Sequence, residues 1–223
     1  MPQFDFDKNY IKYVIFDMDG VLINSEPVTV KAAIKALSEV GISATPEEFK
    51  PYIGAGEDKF IIETCQKHKK DALITRAMGR LYELFNQYVF KDLTVYPSVH
   101  KVLADLKKSG YHLCIASSSA AEKLAVSLKA AKIDPELFDV IITGSDVSEK
   151  KPSPEIYFTA MDELDADPEE CIIIEDAING IRAAMESGAF CFGVTTSFSR
   201  DTLEKEEPDF IGDDIAELLD ILR

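Results

Sequence analysis

No apolar run in this sequence approaches the roughly 20 residues that a membrane span needs. The first ten residues, MPQFDFDKNY, lack both the basic start and the apolar stretch of a secretory signal, so the cytoplasm is the expected compartment. C-x-x-C spacing is also missing. Cys65, Cys114, Cys171 and Cys191 are scattered, and the last three lie in apolar runs, which predicts buried free thiols rather than disulfides or a zinc site. Positive charge is scarce: 24 Lys and Arg face 40 Asp and Glu, a net charge of −16. Such a surface repels nucleic acid and anionic membranes at long range, and neither is expected as a partner. A small anionic substrate stays possible, but its site must be built from specific cations and backbone dipoles. The sequence has no internal repeat and no low-complexity linker. The default assembly is a monomer.

What is present describes an ordinary globular chain. With 46% hydrophobic residues over 223 positions, there is apolar material for one large domain or two modest ones. Short apolar runs recur at 12–16 (KYVIF), 111–116 (YHLCIA), 139–142 (DVII), 171–174 (CIII) and 190–194 (FCFGV). They do not alternate with polar residues, as expected of parallel strands buried on both faces. Helical spacing lies between them. Val99, Val102, Leu103 and Leu106 mark one helix, ended by Ser109-Gly110, and others cover about 121–131, 154–164, 177–187 and 213–222. Strand–helix alternation predicts an α/β fold with a doubly wound, Rossmann-like parallel sheet.

Between Val28 and about Thr94 the rhythm stops. Val30, Ala33, Ile34, Leu37 and Val40 form one helical stripe, and Leu73, Ala77, Leu81, Leu84 and Tyr88 another. Thr45-Pro46-Glu47-Glu48 reads as a capped helix start. The expected organisation is therefore a discontinuous α/β core, residues 1–26 and 96–223, with an all-helical cap inserted at 27–95.

In open α/β sheets ligands bind beyond the carboxyl ends of the strands. The first run ends in Asp17, with Asp19 and Gly20 following, and the second in Ser117, Ser118 and Ser119. The third leads through Thr143 to Lys150, Lys151 and Pro152, and the fourth ends in Glu175 and Asp176. Gathered at one edge, these carboxylates, hydroxyls and lysine make a cation-plus-phosphate site. A hard Mg²⁺ takes oxygen ligands, typically a carboxylate or two plus substrate phosphate, and it would make crowding of Asp17, Asp19 and Asp176 tolerable.

Four motifs in this order, DMDGVLINSEP, IASSS, KKPSPEIY and IIIEDAINGIRAA, resemble those of the haloacid dehalogenase superfamily over nearly the whole chain. The likeness is to its β-phosphoglucomutase-like branch of small-cap phosphatases and phosphomutases. The resemblance implies Asp17 as the nucleophile that forms an aspartyl-phosphate, and Asp19 as general acid and then base. It implies Ser117, Ser118 and the backbone N–H groups that follow as phosphoryl binders, and Lys151 as the cation that neutralises charge on the phosphoryl group. Asp176 and Asp17, with Glu175 and the Asp19 carbonyl, would hold Mg²⁺. Relatives that cleave carbon–halogen or carbon–phosphorus bonds lack the second aspartate, so phosphate ester chemistry is expected. Taken alone, the motifs have plainer readings: a turn at Asp-x-Asp-Gly, an N-cap cluster at Ser117–Ser119 and a solvated loop at Lys150. His68, His100 and His112 match no motif, Phe190 and Phe192 read as core, and 204–209 reads as a solvated loop.

The cap usually sets specificity in this family, and the loop GAGEDKF, residues 54–60, is expected to bring Gly54 and Lys59 toward the site. Relatives that interconvert hexose phosphates carry a histidine near Thr29 and an arginine where Glu57 falls. Glu57 would repel a second phosphate, with Lys59 and Arg80 as partial compensation. Asn24 also replaces an acidic residue common at that place. The expectation is thus a phosphomonoesterase acting on a small phosphorylated metabolite, such as a sugar phosphate. A β-phosphoglucomutase-like isomerase and a non-catalytic receiver-like phosphoacceptor are the alternatives.

Overall fold

The protein is described from a computed structural model covering residues 6–223. Residues 1–5, part of the N-terminal stretch read above for signal features, lie outside the described residues. Eight strands among the described residues are β1 (Tyr13–Phe16), β2 (Ile23–Asn24), β3 (Thr94–Val95), β4 (His112–Ser117), β5 (Val140–Thr143), β6 (Cys171–Glu175), β7 (Phe190–Val194) and β8 (Phe210–Gly212). The α-helices are α1 (Glu26–Glu39), α2 (Asp58–Lys67), α3 (Ile74–Asp92), α4 (Val99–Lys108), α5 (Ala121–Ala131), α6 (Glu155–Leu164), α7 (Ile178–Ser187), α8 (Arg200–Leu203) and α9 (Leu218–Ile221).

The main sheet runs β5-β4-β1-β6-β7-β8, and every pairing in it is parallel. Its strands are apolar at successive positions because both faces are covered. On one face Val14, Phe16, Leu113, Ile115, Ile172 and Ile174 pack with Leu103 and Leu106 of α4 and Leu124 and Leu128 of α5. On the other, Ile15, Cys114, Ala116 and Ile173 pack with Ile156 and Ala160 of α6 and Ile181 and Ala184 of α7. Neighbouring residues on a strand serve opposite cores, as the period of two requires. This is the doubly wound α/β architecture expected. All four cysteines are buried free thiols. Phe6 packs edge-on against Phe190 and Phe210, closing the far end of the sheet.

α1, α2 and α3 form a helical insert with its own core of Val28, Ala32, Leu37, Phe60, Leu81 and Phe85. Both ends of the insert are tied together by the antiparallel pair β2–β3, with Ile23 opposite Val95 and Asn24 opposite Thr94.

Three element-level expectations need correction, and three short strands appear that the sequence pattern does not predict. The buried stripe of α1 is Val28, Ala32, Ala33, Ala36 and Leu37, whereas Val30, Ile34 and Val40 are only partly buried. Small alanines make the contact because α1 packs closely on α3, and larger residues flank it. Thr45-Pro46 starts a 3₁₀ segment, Pro46–Tyr52, rather than an α-helix; the Thr45 N–H donates to Glu48 Oε2 at 3.0 Å. The helix expected over 213–222 is a 3₁₀ turn, Ile215–Glu217, running into the short α9. Strands β2, β3 and β8 carry two or three residues each, too few for a periodic signal.

Candidate active site

The sheet order reverses at β1, because β4 and β5 lie on one side of it and β6, β7 and β8 on the other. Crevices form at such switch points, beyond the carboxyl ends of the strands. Asp17 follows β1 directly, Ser117 closes β4, and Glu175-Asp176 close β6. Over them lies a cavity of about 280 Å³ roofed by the insert, with Thr29, Ile53, Gly54, Glu57 and Phe60 on the roof side.

Lys151 reaches this point from the loop after β5. Its Nζ, fully buried, donates to Asp17 Oδ1 at 2.6 Å, Glu175 Oε1 at 2.7 Å and the Ala116 carbonyl at 2.9 Å. All three ammonium donors are thereby used. Glu175 also accepts from the Tyr157 hydroxyl, and its Oε2 accepts the Asp176 N–H at 3.2 Å. Asp17, Glu175 and Asp176 each bring a carboxylate oxygen within 4.8 Å of the others, all buried. One ammonium cannot neutralise three carboxylates. Burial, opposed by Lys151 and reinforced by Glu175 and Asp19, pushes Asp17 up to about 7. Burial, with the charges of Glu175 and Asp17, pushes Asp176 well above the ordinary carboxyl range. An all-oxygen, carboxylate-rich donor set carrying uncompensated negative charge fits a hard divalent cation. Both Glu175 oxygens are engaged by protein donors, so Asp17 and Asp176 are the carboxylates that would face such a cation.

Asp19 points elsewhere. Its carboxylate accepts from Ser25 Oγ, from Ser119 Oγ at 2.6 Å and from Lys123 Nζ at 3.0 Å to each oxygen. Burial would raise its pKa, but the Lys123 charge and these hydrogen bonds outweigh burial and hold it below the ordinary value. Gly20, at φ +90°, lets the chain turn past Asp176; a Cβ there would fall 1.9 Å from Asp176 Oδ2. The Ser117 hydroxyl accepts the Ser119 N–H at 3.2 Å, while the buried Ser118 Oγ, on a residue of the cavity lining, has no hydrogen-bond partner among the described residues.

Residues 14–194 match the sequence profile described as haloacid dehalogenase-like hydrolase. The chain belongs to that family. The haloacid dehalogenase-like chain is 33% identical over 220 residues to pyrophosphatase PpaX of Bacillus cereus, covering 95% of this chain and 96% of that one. It is 32% identical over 215 residues to the Arabidopsis thaliana protein SUPPRESSOR OF QUENCHING 1, chloroplastic, covering 95% of this chain but 20% of the plant protein. Its fold superimposes on the crystal structure of a predicted phosphoglycolate phosphatase from Haemophilus somnus with a TM-score of 0.85, at 25% identity, covering 96% of this chain and 99% of that one. It is an enzyme, a hydrolase of the phosphatase type. The receiver-like alternative is thereby set aside. Among the described residues no helix is long and apolar enough to cross a membrane.

In this haloacid dehalogenase-like hydrolase the structure brings together Asp17, Asp19, Ser117, Ser118, Lys151, Glu175 and Asp176 from four sheet loops. Gly54 joins them from the insert. Its φ is +80°, and a Cβ there would lie 2.6 Å from the Ala177 Cβ, so only glycine lets this loop close onto the turn after β6. Lys59 and Arg80 are not brought in, correcting their expected place against substrate. Lys59 faces solvent beside Glu63 at 3.8 Å, and Arg80 is held on the outer surface of α3 by Glu39 and Glu83, each at 2.7 Å. Both lie on the wrong side of their helices to reach the cavity. Lys150 is not a free loop lysine: it pairs with Asp58 of the insert at 2.9 Å.

The sequence reading missed Lys123, which is 3% exposed and bridges Asp19 to Glu57 of the insert, the latter at 3.8 Å. A signal was available. Lys123 shares the buried face of α5 with Leu124, Ser127, Leu128 and Ala131, an unusual phase for a lysine. Tyr157 was also missed, being indistinguishable in sequence from any aromatic on the core face of α6.

Proposed function

We propose that this chain is a Mg²⁺-dependent phosphomonoesterase that hydrolyses a small phosphorylated metabolite through an aspartyl-phosphate on Asp17. One observation carries the reading: Asp17, buried at the switch point, faces the serine cradle at Ser117–Ser119 while Lys151 holds it at 2.6 Å. In the first half-reaction an Asp17 oxygen attacks phosphorus, the bond from phosphorus to the leaving oxygen breaks, and Asp19 supplies that oxygen with a proton. In the second, water attacks phosphorus, Asp19 takes its proton, and the Asp17–phosphorus bond breaks to free phosphate. The Ser118 hydroxyl and backbone N–H groups of this turn bind phosphoryl oxygens, and Lys151 balances their charge. Asp17, Asp176 and the Asp19 carbonyl would hold Mg²⁺, oriented by Glu175, and the ion would supply positive charge to the phosphoryl oxygens. Lys123 favours the anionic form of Asp19 that the second half-reaction uses, so Asp19 takes up a proton from solvent before it passes one to the leaving oxygen in the first.

The chain divides, in this reading, into a catalytic core (1–26 and 96–223) and a cap (27–95) that excludes water and contacts the leaving group. The mutase alternative has less support, because the cavity roof offers no lysine or arginine for a second phosphate among the described residues. A cytoplasmic location accords with four unpaired buried thiols.

The test is phosphate release from a panel of phosphorylated metabolites, with Mg²⁺ and with chelator. Wild type should release phosphate only with the metal. Asp17→Asn should lose at least about a thousandfold in rate while keeping its melting temperature within a few degrees. Equal release by Asp17→Asn would overturn the reading.

A further inference from the structure

Two buried polar atoms on residues that line the same cavity have no hydrogen-bond partner among the described residues, and they are of opposite kinds. On the core side is Ser118 Oγ, able to donate; on the insert side is Glu57 Oε2, able only to accept. Glu57 is 4% exposed. Its other oxygen is satisfied twice, by the Tyr82 hydroxyl at 3.0 Å and the Ala120 N–H at 3.2 Å. Oε2 has only Lys123 in reach, at 3.8 Å, beyond a hydrogen bond, and that ammonium already serves Asp19 and Ser119. A buried acceptor left unmet costs on the order of 1–3 kcal/mol, so a donor belongs there.

The position of Glu57 is held firmly. It precedes α2, and the loop before it rests on the core: a Cβ on Gly56 would meet the Ser118 carbonyl and Lys150 Nζ at 3.0 Å. The same loop is pinned by Asp58 to Lys150. The rest of the roof is mainly apolar, with Ile53 and Phe60.

Resting on the phosphatase reading, we infer that Glu57 is a specificity residue that accepts a hydrogen bond from a hydroxyl or ammonium group on the leaving group. It thereby selects monoesters of hydroxylated or aminated small molecules. It also disfavours substrates with a second anion at that place, because a carboxylate there repels a further phosphate or carboxylate and the roof supplies no dedicated cation. Pyrophosphate and phosphoglycolate, which name two of the relatives' activities, are therefore poor substrates of this chain.

The probes are glycerol 3-phosphate (hydroxyl), phosphoethanolamine (ammonium), propyl phosphate (no donor), phosphoglycolate and pyrophosphate (second anion). Wild type should favour the hydroxyl or the ammonium probe over propyl phosphate by about 10- to 100-fold in kcat/KM, the value of a charge-assisted hydrogen bond, and the better of the two identifies the donor. In Glu57→Gln, which keeps an acceptor for Tyr82 and Ala120, that ratio should fall by about tenfold, and pyrophosphate should gain relative to propyl phosphate. Should the variant not fold, the wild-type ratios alone decide. Turnover of propyl phosphate as good as that of both donor probes overturns the inference and leaves the phosphatase standing, as does preferential hydrolysis of pyrophosphate. No turnover of any probe with Mg²⁺ overturns both.

Discussion

Lys123 carries one ammonium between two carboxylates that come from different parts of the chain, Asp19 beyond β1 and Glu57 before α2. Removing it leaves buried negative charge without a partner, which typically costs about 3–5 kcal/mol. Lys123→Met should therefore lower the denaturant midpoint by that equivalent, and it should also raise the pKa of Asp19, since the lysine charge is what overcomes burial there. In a pH profile of kcat/KM, which reports the first half-reaction where Asp19 is the acid, the basic limb should move to higher pH; a profile that only scales down would point to a purely structural lysine. Asp17 supplies a second residue-scale prediction, with a definite sign. Its folded pKa of about 7 lies above the 3.8 of an ordinary aspartate, so the metal-free native state holds a proton that the unfolded chain has lost. Stability of the metal-free protein should fall as pH rises from about 4 to 7. A divalent cation needs the ionised carboxylate, so its stabilisation should grow over the same window. At about 1.4 kcal/mol per pH unit per displaced proton, the Mg²⁺-induced rise in melting temperature should be larger at pH 7 than at pH 5.5 by about 4–8 °C. Thermal scans at the two pH values, with Mg²⁺ and with chelator, measure it; a shift independent of pH would show that no proton is displaced.

At the scale of elements, the loop joining the 3₁₀ segment to α2 is where insert and sheet meet. The Asp58–Lys150 pair is partly exposed, with side chains 24% and 21% accessible, so it contributes no more than about 1 kcal/mol. Lys150→Ala should raise KM by about two- to fivefold with a smaller change in kcat, and the salt dependence of KM should weaken with it. An unchanged KM would mean that the pair does not help hold the roof in place. Gly54 is less forgiving. Gly54→Ala puts a Cβ 2.6 Å from Ala177 at a positive φ, so the roof must lift. A loss of about tenfold or more in kcat/KM is expected, while the melting temperature moves by only a few degrees because the loop lies outside all three cores. A large drop in melting temperature with unchanged kinetics would contradict this.

For the whole molecule, the β2–β3 pair has a consequence. Because Ile23 and Val95 are register partners, the two ends of the insert are one strand spacing apart. Both faces of the sheet are buried by α4 to α7 without help from the insert. A chain lacking residues 26–93, closed by an Asn-Gly turn, should melt cooperatively and lose at least about a hundredfold in turnover of the best substrate, since water then enters the cavity. Non-cooperative melting would show that the helical core stabilises the sheet, and retained turnover that the roof is dispensable.

The doubly wound sheet was legible because parallel strands buried on both faces appear as unbroken apolar runs, and the strand-end residues Asp17, Ser117 and Asp176, with Lys151 in the loop after β5, because position at or after a strand end is a matter of sequence order. The helical insert was visible as a region without such runs. The orientation of α1 was not, since its close face uses alanines that hydropathy ranks below Val30 and Ile34. The insert's contribution to the site was misread for a related reason: Lys59 and Arg80 were assigned by charge, and only the rotation of α2 and α3 about their axes decides which side chains face inward. The sequence by itself determined the fold class, the loops that converge and the chemistry they bring. The tertiary structure decided which charges pair. Lys123 meets both Asp19 and Glu57 across more than 60 residues of chain, and electrostatic pairing in a buried site depends on separations in space that no local spacing encodes.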